Sequence, residues 1–216
     1  MNPDNRQLLA GLVPLVLISI TCGVLLTQAH RCTRDGIEAQ RQQLALRVIG
    51  EVLPMDYDND LLHDRIEIND PAYFRGRISA YRARYRGQAV GIALLPVSAR
   101  GYKGTIELAL GLSRDGVITG VRVTRQQETE GLGDRIDQHK SRWILGFTGH
   151  SLANTPAGDW AVHSDGGDFD QLSGATISPR GVINAVKKTL EYYDANREQL
   201  LRMPGSDPEK QLINKG

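Results

Sequence analysis

The chain has 216 residues, of which 40% are apolar and 24% charged, with 26 Lys and Arg against 25 Asp and Glu. These proportions suit one globular domain with small appendages and exclude a wholly disordered, collagen-like or multi-span membrane chain. A net charge of +1 supplies no general field for gathering nucleic acid, which argues against it as a partner.

After a short flank (1–7), the run from Leu8 to Leu26, LLAGLVPLVLISITCGVLL, holds 19 residues without a charge. At about 1.5 Å per residue it approaches the thickness of a bilayer core, so a single transmembrane helix is expected over 8–29. Gly11 and Pro14 suit a membrane helix better than a soluble one. A cleaved secretory signal is the rival. The run exceeds the usual signal core, only Arg6 precedes it and no small-x-small site follows, so retention is favoured. Arg31, Arg34, Arg41 and Arg47 follow the span and by count place the next domain inside. That rule weakens ahead of a long domain, so charge leaves orientation open.

Cys22 and Cys32 are the two cysteines. Ten helical positions would separate them by about 15 Å, too far for a disulfide. The five histidines are scattered and no metal site is expected.

Ile37, Leu44, Ala45, Val48, Ile49 and Val52 recur with helical period until Leu53-Pro54, which predicts a membrane-proximal amphipathic helix over 34–53. Met55 to Pro71, rich in Asp and Asn, is expected to be a surface excursion whose charges form a solvated face. A folded α+β domain with an antiparallel sheet is expected over 72–200. Val90, Ile92 and Leu94 alternate, as do Ile106, Leu108, Leu110 and Leu112. Val117, Val121 and Val123 follow the turn Ser113-Arg114-Asp115-Gly116, making the last two runs a hairpin. Loops and short helices are expected over Gln126–Trp160. A helix then starts at Ser178-Pro179, with Ser178 available as a cap, and runs to about Leu200 with Val182, Ala185, Val186, Thr189, Leu190 and Tyr193 on one face. Residues 203–216 lack periodicity and are expected to be a flexible tail.

The richest chemistry precedes that helix, in Asp170-Gln171-Leu172-Ser173-Gly174-Ala175-Thr176-Ile177-Ser178-Pro179. Hydroxyls and very small residues gather where a turn delivers the backbone to a helix N-terminus, a place suited to an anion. Arg180, Lys187 and Lys188 would add positive potential if they faced it. Such turns also occur for purely structural reasons, and on the residues alone both readings stand. There is no P-loop, Gly131-Leu132-Gly133-Asp134-Arg135-Ile136 lacks the third glycine of a dinucleotide fingerprint, and Ser173 is outside a nucleophile elbow.

Asp170 to Thr176 resembles the Dxx[ST]GAT signature of FMN-binding domains whose flavin is joined through its phosphate to the final Thr hydroxyl. Gly101-Tyr102-Lys103-Gly104, the Asp115-Gly116 hairpin and Glu128-Thr129-Glu130-Gly131-Leu132-Gly133 are similar to that domain's other landmarks, in order, with Glu130 where the family usually has Pro. Lys140-Ser141-Arg142-Trp143-Ile144, Asp159-Trp160-Ala161-Val162 and Gly166-Gly167-Asp168-Phe169-Asp170 extend the resemblance to the G subunits of Rnf-type ion-translocating electron-transport complexes over nearly the whole chain.

That resemblance implies covalent FMN on Thr176, attached by a dedicated flavin transferase that reads Asp170, Ser173, Gly174 and Ala175. Glu128, Thr129, Gly131, Leu132 and Gly133 are expected near the flavin ring, because a double-Gly loop allows close backbone approach. Thr176 is then a tether, no catalytic residue is expected, and Trp143, Trp160 and Tyr102 read as core or interface aromatics. The implied function is electron relay within an oxidoreductase that moves cations across the bacterial inner membrane. The implied domain lies on the periplasmic side, with membrane lipid and the other subunits as partners and no independent turnover. Two alternatives remain: the FMN subunit of a sodium-pumping NADH:quinone reductase, against which the Gly167–Asp170 context and short length weigh, and an anchored binding or scaffold module without redox chemistry.

Overall fold

The computed structural model describes residues 42–202 continuously, with residues 16, 18–23, 25, 27, 28 and 40. Two compact units are present, Met1–Ala45 and Leu46–Gly216. In the first, the described residues between 16 and 28 are helical, and the Thr27 hydroxyl donates to the Gly23 carbonyl at 2.7 Å. The expected span over 8–29 falls partly outside the described residues, as do the 1–7 flank, most of 34–41 and the 203–216 tail. Among the described residues no helix is long and apolar enough to cross a membrane.

The second unit opens on helical residues 46–52, here α1. Five strands follow: β1 (Arg65–Ile68), β2 (Ile78–Tyr85), β3 (Gln88–Arg100), β4 (Thr105–Ser113) and β5 (Ile118–Arg125). They pair in chain order as an antiparallel meander. The expected alternation in β3 and β4 sorts residues onto two faces. Ile92, Leu94, Ile106, Leu108, Leu110 and Leu112 join one cluster with Val182, Ile183, Val186 and Leu190 of the final helix, α2 (Ile177–Leu201). Each such side chain contributes about 1.5–3 kcal/mol on burial. Intervening Ala83, Ala93 and Ala109 face Ile49, Val52 and Leu53. Their small size lets the end of α1 lie close to the sheet, where Thr119 Oγ1 donates to the Val52 carbonyl at 2.5 Å.

Three differences from the sequence-based expectations have physical causes. The surface excursion over Met55–Pro71 contains β1, and within it Leu61 and Asp64 are buried. Its charges are therefore more than a solvated face: Asp64 is paired with Arg82 and Arg84. The same pairing hides β2, because a strand that turns two arginines inward does not alternate in hydrophobicity. The helix begins at Ile177, slightly ahead of the expected Ser178-Pro179, and Thr176 occupies its cap position without a capping side-chain bond. Ser178, expected to cap, is buried and donates instead to the Glu128 carboxylate.

Short 3-10 turns at Gly133–Ile136 and Trp143–Phe147 occupy the region between β5 and α2. Phe147 stacks on Phe169 with centroids 4.6 Å apart, and Trp160 is buried beside Phe169. This aromatic group supports the segment leading to the last turn before α2.

Candidate functional site

The Leu172–Ala175 turn is closed by the Ala175 N–H, which donates to the Leu172 carbonyl at 3.0 Å. Gly174, third in the turn, has φ of 77°, a left-handed conformation that an L side chain strains to adopt. The absent side chain also leaves room: a Cβ there would stand 2.9 Å from Leu132 Cδ2. The turn delivers Thr176 to the N-terminus of α2, where the first N–H groups lack intrahelical acceptors and the helix dipole is positive. Thr176 is exposed, and its hydroxyl is not spent on a cap.

A cleft of about 420 Å³ opens at this point, within the range of small-molecule sites. One wall is Gly174 to Ser178; the opposite wall comes from the loop after β5, and Tyr102 stands at the side. Glu128 joins these parts. It is 8% exposed; its Oε2 accepts from the Tyr102 N–H at 3.1 Å and from the Ser178 hydroxyl, and its Oε1 accepts from the Lys103 N–H at 3.0 Å.

Of the sequence-predicted residues, Thr176, Gly174, Ala175, Glu128, Thr129, Leu132 and Gly133 line the cleft. Gly131 is not among the lining residues; its φ of 74° turns the loop just ahead of them. Asp170 and Ser173 also stand outside the lining. The Asp170 carbonyl accepts from Trp143 Nε1 at 2.7 Å, and its carboxylate lies 3.3 Å from His163 Nε2. None of the three basic residues considered for the anion site lines it. Arg180 makes two 2.6 Å bonds to Asp165, whose carboxyl is held below its ordinary range by that guanidinium, and Lys187 donates to the Ala157 carbonyl.

Tyr102, Ile177 and Ser178 were not anticipated as lining residues. Tyr102 is 69% exposed, a rim residue and no part of the core. Its place next to Lys103 in a Gly-flanked turn was the signal available in the sequence. Tyr102, Leu132 and Ile177 are all exposed large apolar side chains that meet on this one cleft. Among the described residues no cluster of His, Cys, Asp or Glu could hold a metal ion.

An apolar rim, a close backbone approach and a helix N-terminus beside a free hydroxyl suit a flat aromatic ligand carrying a phosphate. Residues 101–191, which carry both walls, match the FMN-binding domain family. The whole chain has close relatives. The G subunit of the ion-translocating oxidoreductase complex of Pseudoalteromonas atlantica is 40% identical over 98% of this chain and 100% of its own length. The corresponding G subunits of Vibrio cholerae and Aliivibrio fischeri are 39% and 38% identical, over 90% and 88% of this chain and 93% and 92% of their own lengths. The chain belongs to the family formed by the G subunits of ion-translocating oxidoreductase complexes, and its second unit is an FMN-binding domain built on a five-stranded antiparallel sheet.

Proposed function

We propose that this chain is a membrane-anchored electron-relay subunit whose FMN is joined through its phosphate to the Thr176 hydroxyl. The observation that carries the reading is an exposed Thr at the head of a 25-residue helix, its hydroxyl unspent on capping, at the edge of a cleft that suits a flavin. The site's residues fit the group: first-turn N–H groups of α2 match the one negative charge that a phosphodiester retains, and Gly174 and Ala175 leave the backbone open to it. Thr129, Leu132 and Gly133 would bound the ring, with Gly131 shaping their loop. When bound, FMN supplies one- and two-electron transfer.

A Thr hydroxyl is a weak nucleophile at neutral pH, so a separate flavin transferase would make the bond, reading Asp170, Ser173, Gly174 and Ala175 around the acceptor. A tether holds the cofactor at an effective concentration of about millimolar or above, where a free one would dilute away. Residues 8–29 would form the anchor, with 34–53 membrane-proximal, 72–200 the FMN-binding domain on the periplasmic side of the inner membrane, and 203–216 a flexible tail. Turnover would belong to the whole translocating complex, through contacts with its other subunits and lipid.

Denaturing electrophoresis of the protein from its native host tests the attachment. Wild type gives a band fluorescent under ultraviolet light, its Thr176 peptide carries the mass of FMN less water, and Thr176→Ala abolishes both. A fluorescent Thr176→Ala band overturns the acceptor assignment.

A further inference from the structure

Glu128 is an unusual wall for a site that receives electrons. Among the residues lining the cleft it is the one carboxylate. Its three donors, two backbone N–H groups and a hydroxyl, are all neutral. Two cations of the flanking segments are paired with other carboxylates, Arg180 with Asp165 and Lys140 with Glu130 and Asp134 at 3.7 and 3.6 Å, and Lys103 meets Glu128 through its backbone N–H.

The surrounding backbone is shaped to admit this carboxylate. A Cβ on Gly133 would stand 2.8 Å from Glu128 Oε2 and 3.0 Å from Ser178 Oγ, and one on Gly101 would collide with Oε1. One glycine from each of two separate sequence landmarks is thus the space that Glu128 needs.

Resting on the FMN reading of the cleft, we infer that Glu128 is a positioning residue whose buried negative charge locks Tyr102 at the cleft rim and lowers the reduction potential of the flavin. Reduction adds electrons to the ring, and a fixed negative charge in a water-poor wall opposes that addition. The positive end of α2 lies beside it as well, since Ser178 belongs to the first turn of the helix, and offsets part of that charge. The locking follows from donor chemistry. Each carboxylate oxygen faces a backbone N–H that has nothing to accept with, so the amide nitrogen of a Gln must confront a donor whichever way it is turned. Glu128→Gln therefore removes the charge and at least one hydrogen bond, with little change in volume.

Hydrogen exchange on the full chain before flavin attachment tests the positioning, and a redox titration of the flavinylated chain tests the charge. Glu128→Gln should speed exchange at the Tyr102 and Lys103 amides by about tenfold or more, the worth of a hydrogen bond. Its midpoint potential should move to more positive values. Ser178→Ala keeps the carboxylate and loses a donor that partly neutralises it, so its potential should move negative. Unchanged exchange in Glu128→Gln overturns the positioning, and an unchanged potential in loaded Glu128→Gln overturns the tuning. If Glu128→Gln does not load, a positive shift in Ser178→Ala overturns the tuning. Absence of flavin on the wild type would instead sink the FMN reading, and the exchange measurement would still decide whether Glu128 holds the turn.

Discussion

Two neighbouring residues divide the work at the head of α2. Thr176 offers a side-chain oxygen, and Gly174 offers a backbone conformation that no other residue takes without strain. A left-handed φ costs an L-residue roughly 1–2 kcal/mol, so Gly174→Ala should lower stability by about that amount and impair flavin attachment as the turn relaxes. Thermal unfolding and the fluorescence of the denatured band report the two effects separately; an unchanged Tm would show that the turn tolerates a side chain. Ser178 illustrates how context reassigns a residue. Its local pattern suits a cap, but it stands two residues past the cap position and its hydroxyl meets Glu128, 50 positions earlier in the chain.

At the scale of elements, α2 connects the site to the opposite end of the domain, about 37 Å away at 1.5 Å per residue. Its C-terminal carbonyls are met by two buried arginines: Arg82 donates to the Arg202 carbonyl at 3.0 Å, and Arg84 to those of Leu201 and Arg202. Cations suit that end of the dipole, and Asp64 balances them from β1's approach. Midway, the Tyr193 hydroxyl donates to the Arg114 carbonyl at 2.9 Å and so ties α2 to the β4–β5 turn. Burial pushes this phenol up to about 12, against about 10 in an unfolded chain. The neutral form is favoured by the fold, so the contribution is complete below about pH 10 and is lost as pH climbs from there to about 12, by about 2–3 kcal/mol in all. Tyr193→Phe should cost about 1 kcal/mol at neutral pH and remove that part of the alkaline decline. Urea unfolding of both proteins at pH 8 and pH 11 measures the difference, and parallel losses would refute the assignment.

At the scale of the molecule, the FMN-binding unit from Leu46 onward contains its own core on both faces of the sheet, so the proposed anchor would be separable from cofactor binding. Deleting residues 8–29 while directing the remainder to the periplasm with a cleavable signal should leave a soluble fragment that still acquires flavin. Fractionation followed by in-gel fluorescence is the measurement, and retention of the fluorescent fragment in the membrane would reject these residues as the anchor.

Much of this was legible in the residues. Alternation announced β3, β4 and β5, because one face of each packs on a helix and the pattern records burial directly. The run Leu172–Thr176 announced a turn feeding a helix through residues that are local neighbours. β1 and β2 were hidden, since burial there depends on a charge balance among Asp64, Arg82 and Arg84 that no single segment contains. Tyr102 and Ser178 were hidden for the same reason: both are placed by one carboxylate from a third segment. The sequence by itself determined the family and the elements from β3 onward, which are encoded over short stretches of chain. Only the tertiary structure decided which residues share the cleft, because hydrogen bonds that close over 25 and 50 positions leave no periodic trace.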